Sequence, residues 1–195
     1  MKKSLIYVIF ILISLSVFSQ ERDATILFND CTSIKGFGEI KNEKIYFRVD
    51  LKDDKSEWKS DMAKGLIFTG YGFSEKYIFV KPDKYSKPIL MEVIEEGNVN
   101  LYKKSSYGLK FNGINIYKDG VSPNADYTFS SALYVKRANE ESATELTFSF
   151  KSRSLRYFSD CQIIIDKIKK REFKADTITE MVYYYNDYCG KENED

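Results

Sequence analysis

The chain has 195 residues, with 30 basic and 29 acidic side chains and no histidine. This near-neutral balance gives no long-range attraction to nucleic acid or to an anionic membrane surface. The lack of histidine excludes Ser-His-Asp and Cys-His catalysis and imidazole metal ligands, so any acid–base chemistry would depend on carboxylates, Lys or Tyr. The composition therefore indicates no catalytic residue set, no cofactor and no binding of nucleic acid.

The first twenty residues have the features of a secretory signal peptide. Lys2 and Lys3 precede an almost wholly apolar run over residues 5–17, which is followed by a small residue at the expected cleavage point. The run is shorter than the ~20 apolar residues that a membrane-spanning helix needs. We predict that residues 1–19 are removed and that the mature chain begins at Gln20. It would then be exported to the periplasm or the extracellular space, with no stable membrane span.

From residue 20 to residue 150 apolar and polar side chains alternate with a period of two. Such alternation, in segments rich in aromatic and β-branched residues, predicts half-buried antiparallel strands. Short polar connections that contain Gly, Pro or Asn predict a meander of hairpins, as a sheet or a small, partly open barrel. The opening strands resemble the start of an SH3-like or Sm-like barrel. The candidate strands are 25–28, 34–40, 44–50, 66–69, 76–81, 89–94, 99–102, 125–137 and 145–150.

Two segments of this β-rich region fit the period less well. Residues 50–65 are charged and are interpreted as a long loop or a hairpin that carries Trp58. Residues 103–124 contain three glycines and indicate an excursion from the sheet, with an extra hairpin at 111–117. Because loops commonly carry function, exposed aromatic residues near them could bind a glycan or an extended peptide. The candidate binding residues are Trp58, Tyr71 and Phe73.

Acidic residues cluster in the first of these loops, at positions 50, 53, 54, 57 and 61. They lack the Asp-x-Asp-x-Asp-Gly spacing and the closing Glu that surround a calcium ion with oxygen atoms. We interpret the run as a solvated loop, and we predict no metal site.

After residue 150 the apolar period changes to 3.6, which predicts helices. Cys161, Ile164, Ile165 and Ile168 lie at i, i+3, i+4 and i+7, so they share one helix face. A second helix begins near residue 176, and the link between the two is short enough to pack them antiparallel. We predict a helical hairpin over 151–190 that packs on the β-rich region, followed by a disordered tail at 191–195.

This hairpin brings the start of its first helix beside the end of its second. Cys161 and Cys189 occupy those two places, each on the inward stripe of its helix. In an exported protein this geometry predicts a disulfide, with two buried thiols as the alternative. Cys31 is left over in a polar turn, where it could pair between chains or stay free.

Five segments of the chain resemble a family of small secreted proteins from Bacteroidota. The resemblance implies an exported β-meander with a C-terminal helical hairpin, and it implies no particular activity. The segments that carry it are 33–49, 89–102, 133–137, 156–168 and 181–189.

The sequence thus predicts an α+β, mainly β protein, with an antiparallel β-meander followed by a helical hairpin. The functional hypothesis is an exported, non-catalytic envelope protein that binds an envelope protein or a glycan. The alternative is a histidine-independent enzyme that uses carboxylate or Tyr chemistry, for example on envelope glycans.

Overall fold

A computed structural model describes the chain over residues 21–70, 72–117 and 120–190, with side chains described outside 107–129. Ten antiparallel strands followed by three helices lie in these ranges, which confirms the predicted α+β, mainly β fold class. The chain divides into two compact units between residues 74 and 75, called here the N-terminal and the C-terminal unit. Several predictions lie outside the described residues: the signal peptide at 1–19, the cleavage point at Gln20, Tyr71 and the tail at 191–195.

Five antiparallel strands form the N-terminal unit, in the order β5-β1-β2-β3-β4. Only a tight turn joins the fourth strand to the fifth, with the N–H groups of Met62 and Ala63 both donating to the carbonyl oxygen of Lys59. The strands are β1 (Arg22–Phe28), β2 (Ser33–Lys41), β3 (Lys44–Arg48), β4 (Ser56–Trp58) and β5 (Ala63–Gly70).

Two glycines in β2 allow close contact with the neighbouring strands. A Cβ atom on Gly36 would lie 2.3 Å from the carbonyl oxygen of Arg48. A Cβ atom on Gly38 would lie 3.0 Å from the side chains of Ala24 and Leu66. Because real Cβ atoms do not come as close as 2.3 Å, β2 can approach β3 in this way only with glycine at position 36, while a side chain at position 38 would require its neighbours to shift by a few tenths of an ångström. The buried apolar residues of the unit are Ala24, Ile26, Ile45, Phe47, Ala63, Leu66 and Phe68.

A cluster of charges ties the residue before β1 to β3. Glu21 accepts a 2.7 Å hydrogen bond from Arg48, and the ammonium group of Lys55 lies 2.7 Å from the same carboxylate. Burial alone would raise the pKa of Glu21, but the hydrogen bonds from Lys55 and Arg48 lower it below its usual value. These ion pairs therefore hold the first residue of the described fold in place.

The C-terminal unit contains the remaining strands, in the order β6-β7-β8-β9-β10, and the helices. The predicted excursion at 103–124 is a continuation of one long hairpin, since β8 and β9 stay paired as far as Tyr117 and Gly120. The predicted strand at 145–150 is wrong beyond Glu145, and its physical reason is given with the site below. The elements are β6 (Phe73–Val80), β7 (Ile89–Glu95), β8 (Val99–Tyr117), β9 (Gly120–Arg137), β10 (Thr144–Glu145), α1 (Phe150–Tyr157), α2 (Gln162–Lys169) and α3 (Ile178–Tyr188).

The helices pack on β8 and β9, and the predicted disulfide closes them. Cys161 and Cys189 are bonded, with 5.9 Å between their Cα atoms. The Asn186 amide also pairs with the backbone of Val99, accepting from its N–H and donating to its carbonyl oxygen, both at 3.0 Å. Within the described ranges, no helix has the length and apolarity to cross a membrane. The buried core here is Val99, Leu101, Val135, Leu146, Phe158, Cys161, Ile164, Ile168, Ile178, Met181, Val182 and Tyr185.

Candidate functional site

Among the residues of the predicted aromatic patch, Trp58 packs against other residues of the N-terminal unit. Its ring packs edge-on against Phe28, with 5.4 Å between the ring centroids, and its backbone pairs with Ile45. Phe73 is 51 % exposed, and the Arg22 guanidinium lies 5.9 Å from its ring. Tyr71 lies outside the described residues. No described contact joins Trp58 to Phe73, so a shared binding patch stays a prediction.

The acidic loop after β3 uses its carboxylates to hold its own turn. Asp53 accepts a hydrogen bond from the backbone N–H of Asp50, and Asp50 accepts one from that of Lys52. Glu57 pairs instead with Lys44 at 2.9 Å. Across the part of the chain that is described, no three Asp, Glu, Cys or His residues are grouped so as to hold a metal ion.

A network of ionisable side chains lies where β9, the end of α1 and α3 meet. Arg137 donates to both carboxylate oxygens of Asp160, at 3.0 and 2.9 Å, and to the hydroxyl of Tyr185 at 3.1 Å. The Arg137 guanidinium also lies 4.6 Å from the centre of the Tyr157 ring. Glu140 completes the network by accepting from the Tyr157 hydroxyl at 2.7 Å.

The electrostatics of this network favour a structural role. Burial, together with a hydrogen bond to Glu140, raises the pKa of Tyr157 far above its usual value. Burial, followed by the hydrogen bond to Asp160, likewise raises the pKa of Tyr185. A general base must be deprotonated near the working pH. A raised pKa keeps both phenols protonated there, so neither is suited to that task. The network instead fixes α3 against β9 through charge-assisted hydrogen bonds.

A second candidate site is a surface depression at the start of α1. A mostly apolar depression of about 450 Å3 is lined by Ser149, Phe150, Lys151, Ser152 and Leu155, and we call it the α1 depression. Its volume lies in the range of ligand pockets, although it is an open surface and not an enclosed cavity. The side chain of Phe148, next to it in sequence, is 69 % exposed.

The exposure of Phe148 follows from the local backbone. The strand ends at Glu145 and the chain turns over residues 147–149, where Ser149 has a left-handed conformation with φ of 58°, and α1 then begins at Phe150. Strand alternation would place Phe148 on the same side as Leu146, which is fully buried. Because the chain turns at Ser149, Leu146 enters the core while Phe148 lies at the surface. This turn is the reason that the predicted strand at 145–150 is wrong.

One cation, Lys151, lines the α1 depression, and two more lie on the same helix. Residues 146–158 include three cations and no acidic side chain. Arg153 is held, because it donates to the carbonyl oxygen of Glu145 at 2.8 Å and approaches the Phe148 ring at 5.9 Å. Lys151 and Arg156 are exposed, and no described residue forms an ion pair with either of them. The site is therefore an open, mostly apolar depression lined by one lysine, with an exposed aromatic residue directly before it in sequence.

Comparison of the chain with protein-family models, with curated proteins and with solved structures finds no match. The function must therefore be argued from contacts and charges of this chain. Sequence reasoning missed the α1 depression, since it placed Phe148 in a strand. The signal that could have found it is the run of three cations without a carboxylate directly after that aromatic residue.

Proposed function

We propose that the protein is an exported, non-catalytic binding module of the cell envelope, and that the α1 depression binds a protein partner. The observation that carries the proposal is the exposure of Phe148 directly before the residues that line the apolar depression. An exposed aromatic ring with an adjoining apolar surface is typical of the anchor region of a protein interface.

Three features support export. The first residues have the layout of a signal peptide, and cleavage before Gln20 would leave Glu21 and its ion pairs in the mature chain. Disulfides persist in oxidising compartments, and Cys161 is bonded to Cys189. The resemblance to secreted Bacteroidota proteins points the same way, and membership of that family is part of the proposal.

The alternative, a histidine-independent enzyme, has weaker physical support. A carboxyl group that acts as a general acid at neutral pH needs a raised pKa. In the described ranges, each carboxyl pKa that is shifted is lowered; for Glu57 the cause is the hydrogen bond from Lys44, and for Glu141 it is the hydrogen bond from Lys81. These are the directions expected of solvated, ion-paired carboxylates, so we favour the binding module.

Photo-crosslinking from the site tests the proposal in cells that produce the protein. Phe148 is replaced by photoreactive benzoylphenylalanine, and Tyr85, which is 92 % exposed, is replaced in the same way as the control. We expect a discrete protein adduct from position 148 and none from position 85. The adduct should fractionate with the envelope, and its mature chain should begin at Gln20 with Cys161 and Cys189 resistant to alkylation before reduction.

Two outcomes would contradict the proposal. A cytoplasmic chain with reactive thiols at Cys161 and Cys189 would remove the export claim. Identical crosslinking from positions 148 and 85, or no adduct from position 148, would remove the binding claim.

A further inference from the structure

We infer that two copies of this chain associate through one face of the long β8–β9 hairpin. The part concerned is residues 107–117 paired with residues 120–129, called here the β8–β9 arm. This surface is distinct from the α1 depression, so the inference goes beyond the proposed function and does not depend on it.

The register of the arm collects apolar and aromatic residues on one of its two faces. Residues that pair directly across two antiparallel strands lie on the same face, as do residues two positions apart along one strand. The pairs that contain residues 107, 109 and 111 therefore share a face. These pairs are Tyr107 with Phe129, Leu109 with Tyr127, and Phe111 with Ala125.

A bulge in β8 continues this face to the end of the arm. The register shifts between Phe111 and Ile114, where β8 has one residue more than β9. Without the extra residue Ile114 would lie on the opposite face from Phe111, because successive residues of a strand alternate between faces. The next pairs on the same face are Ile114 with Pro123 and Ile116 with Val121, and all four residues are apolar.

The opposite face of the arm is polar. Its pairs are Gly108 with Thr128, Lys110 with Asp126, and Asn115 with Ser122, followed by Tyr117 with Gly120 at the turn. Lys110 and Asp126 are the only charged residues in the sequence of the arm, although charged residues make up 30 % of the whole chain. Such depletion of charge is typical of the core of a protein interface.

The sheet gives the arm no third strand in the ranges that the structure describes. β7 pairs with β8 only as far as Lys103, and β10 pairs with β9 only at Tyr134 and Val135. A two-stranded hairpin is marginally stable in water unless a further strand or another packed element covers its apolar face. The arm therefore needs a covering surface to be a stable element.

A second copy of the chain supplies a surface of matching chemistry. The apolar face has no charged residue, so two such faces meet without burying an unpaired charge, which a strongly acidic or basic partner would do. Its four Tyr and Phe residues contribute at most about 150–250 Å2 each, and six smaller apolar residues add to this area. The face therefore reaches the roughly 800 Å2 per partner of a stable interface. Two identical faces related by a two-fold axis form a closed dimer.

Sedimentation of the purified, disulfide-bonded mature chain tests the inference. We expect a dimer at micromolar concentration. Leu109→Lys places a charge on the apolar face of both copies and should weaken association by on the order of a hundredfold, because like charges then meet in the interface. Thr128→Lys places the same charge on the polar face of the same arm and should leave association unchanged. Helical circular dichroism checks that both variants are folded.

Cross-linking tests the geometry with smaller substitutions. The pair of Phe111 with Ala125 is the middle one of the five apolar pairs, so it lies opposite its own copy whether the two arms run parallel or antiparallel. Packed sheets are about 10 Å apart, which a short bismaleimide can span. In a Cys31→Ser chain, which lacks the exposed free thiol, Ala125→Cys should give a covalent dimer and Thr128→Cys should not.

Several results would overturn the inference. These are a parent chain that stays monomeric, equal association of the parent chain and Leu109→Lys, and equal cross-linking from positions 125 and 128. A monomeric chain that binds phospholipid vesicles would assign the apolar face to lipid and would overturn it as well. Photo-crosslinking from position 148 is independent of these measurements, so the inference and the proposed function can fail separately.

Discussion

The N-terminal unit holds its strands together by close backbone approach, whereas the C-terminal unit covers its strands with helices that a disulfide holds. In the first, Gly36 lets β2 lie against β3 with no space for a side chain, and Gly38 lies in tight contact with Ala24 and Leu66. In the second, large side chains such as Phe158 and Met181 fill the space between helices and strands. The difference predicts separate vulnerabilities: added atoms should damage the N-terminal unit, and a lost cross-link should damage the C-terminal unit.

The largest expected effect is the loss of the disulfide. Cys161 and Cys189 are separated by 28 positions, and a loop of that length predicts a loss of about 3–4 kcal/mol in the free energy of unfolding for the double Ser variant. Thermal unfolding followed by helical circular dichroism measures it. Cys31→Ser changes an exposed free thiol and should alter nothing. A double variant as stable as the parent chain would contradict the assigned role of the bond.

The second-largest expected loss of stability is in the N-terminal unit. Gly36→Ala places a Cβ atom 2.3 Å from the carbonyl oxygen of Arg48, so β2 and β3 must separate, with a loss of about 2–3 kcal/mol. Gly70→Ala is the matched control, because nothing lies within 4 Å of its Cβ position. Hydrogen exchange should show faster opening of β2 and β3 in Gly36→Ala while the helices keep their protection. Equal protection in both variants would refute the close-approach explanation.

The smallest expected effect is a pH dependence of stability in the C-terminal unit. The folded pKa of Tyr157 is raised above the ~10 of the unfolded chain, so its contribution is complete below pH ~10 and is lost as pH rises further. Tyr157→Phe should be about 1 kcal/mol less stable at neutral pH, since it lacks the hydrogen bond to Glu140. Above pH ~10 it should lose less stability than the parent chain.

Denaturant unfolding at a series of alkaline pH values measures this difference. Tyr183→Phe is the control, because the Tyr183 side chain lies at the surface. If the free energy of unfolding of the parent chain and of Tyr157→Phe changes with pH in the same way, ionisation of the Tyr157 phenol is not coupled to folding.

The disulfide and the helices could be predicted from sequence because both depend on local periodicity. The apolar stripes of Cys161 to Ile168 and of Val182 to Cys189 identify the inward face of each helix. When the two helices pack antiparallel, these faces bring the two cysteines close together. In the stretch MVYYYNDYC at 181–189, Tyr185 is buried together with Val182, whereas Tyr183 is exposed.

The long hairpin and the candidate site could not be predicted in the same way. The turn residues between 103 and 124 indicate loops locally, but the ladder between β8 and β9 continues through them. Likewise, TFSF at 147–150 alternates as a strand would, but strand pairing ends at Glu145 and the chain turns before α1, with Ser149 left-handed.

By itself, the sequence determined the fold class, the helical hairpin and the cysteine pairing, because period-two and period-3.6 patterns record which face of each element is buried. Only the tertiary structure decided that β2 needs glycine at position 36 and that Phe148 lies at the surface. Those features depend on distances between segments that are far apart in sequence, and on one backbone dihedral that the residue type does not specify. The α1 depression is such a feature, since it exists only where α1 meets the core.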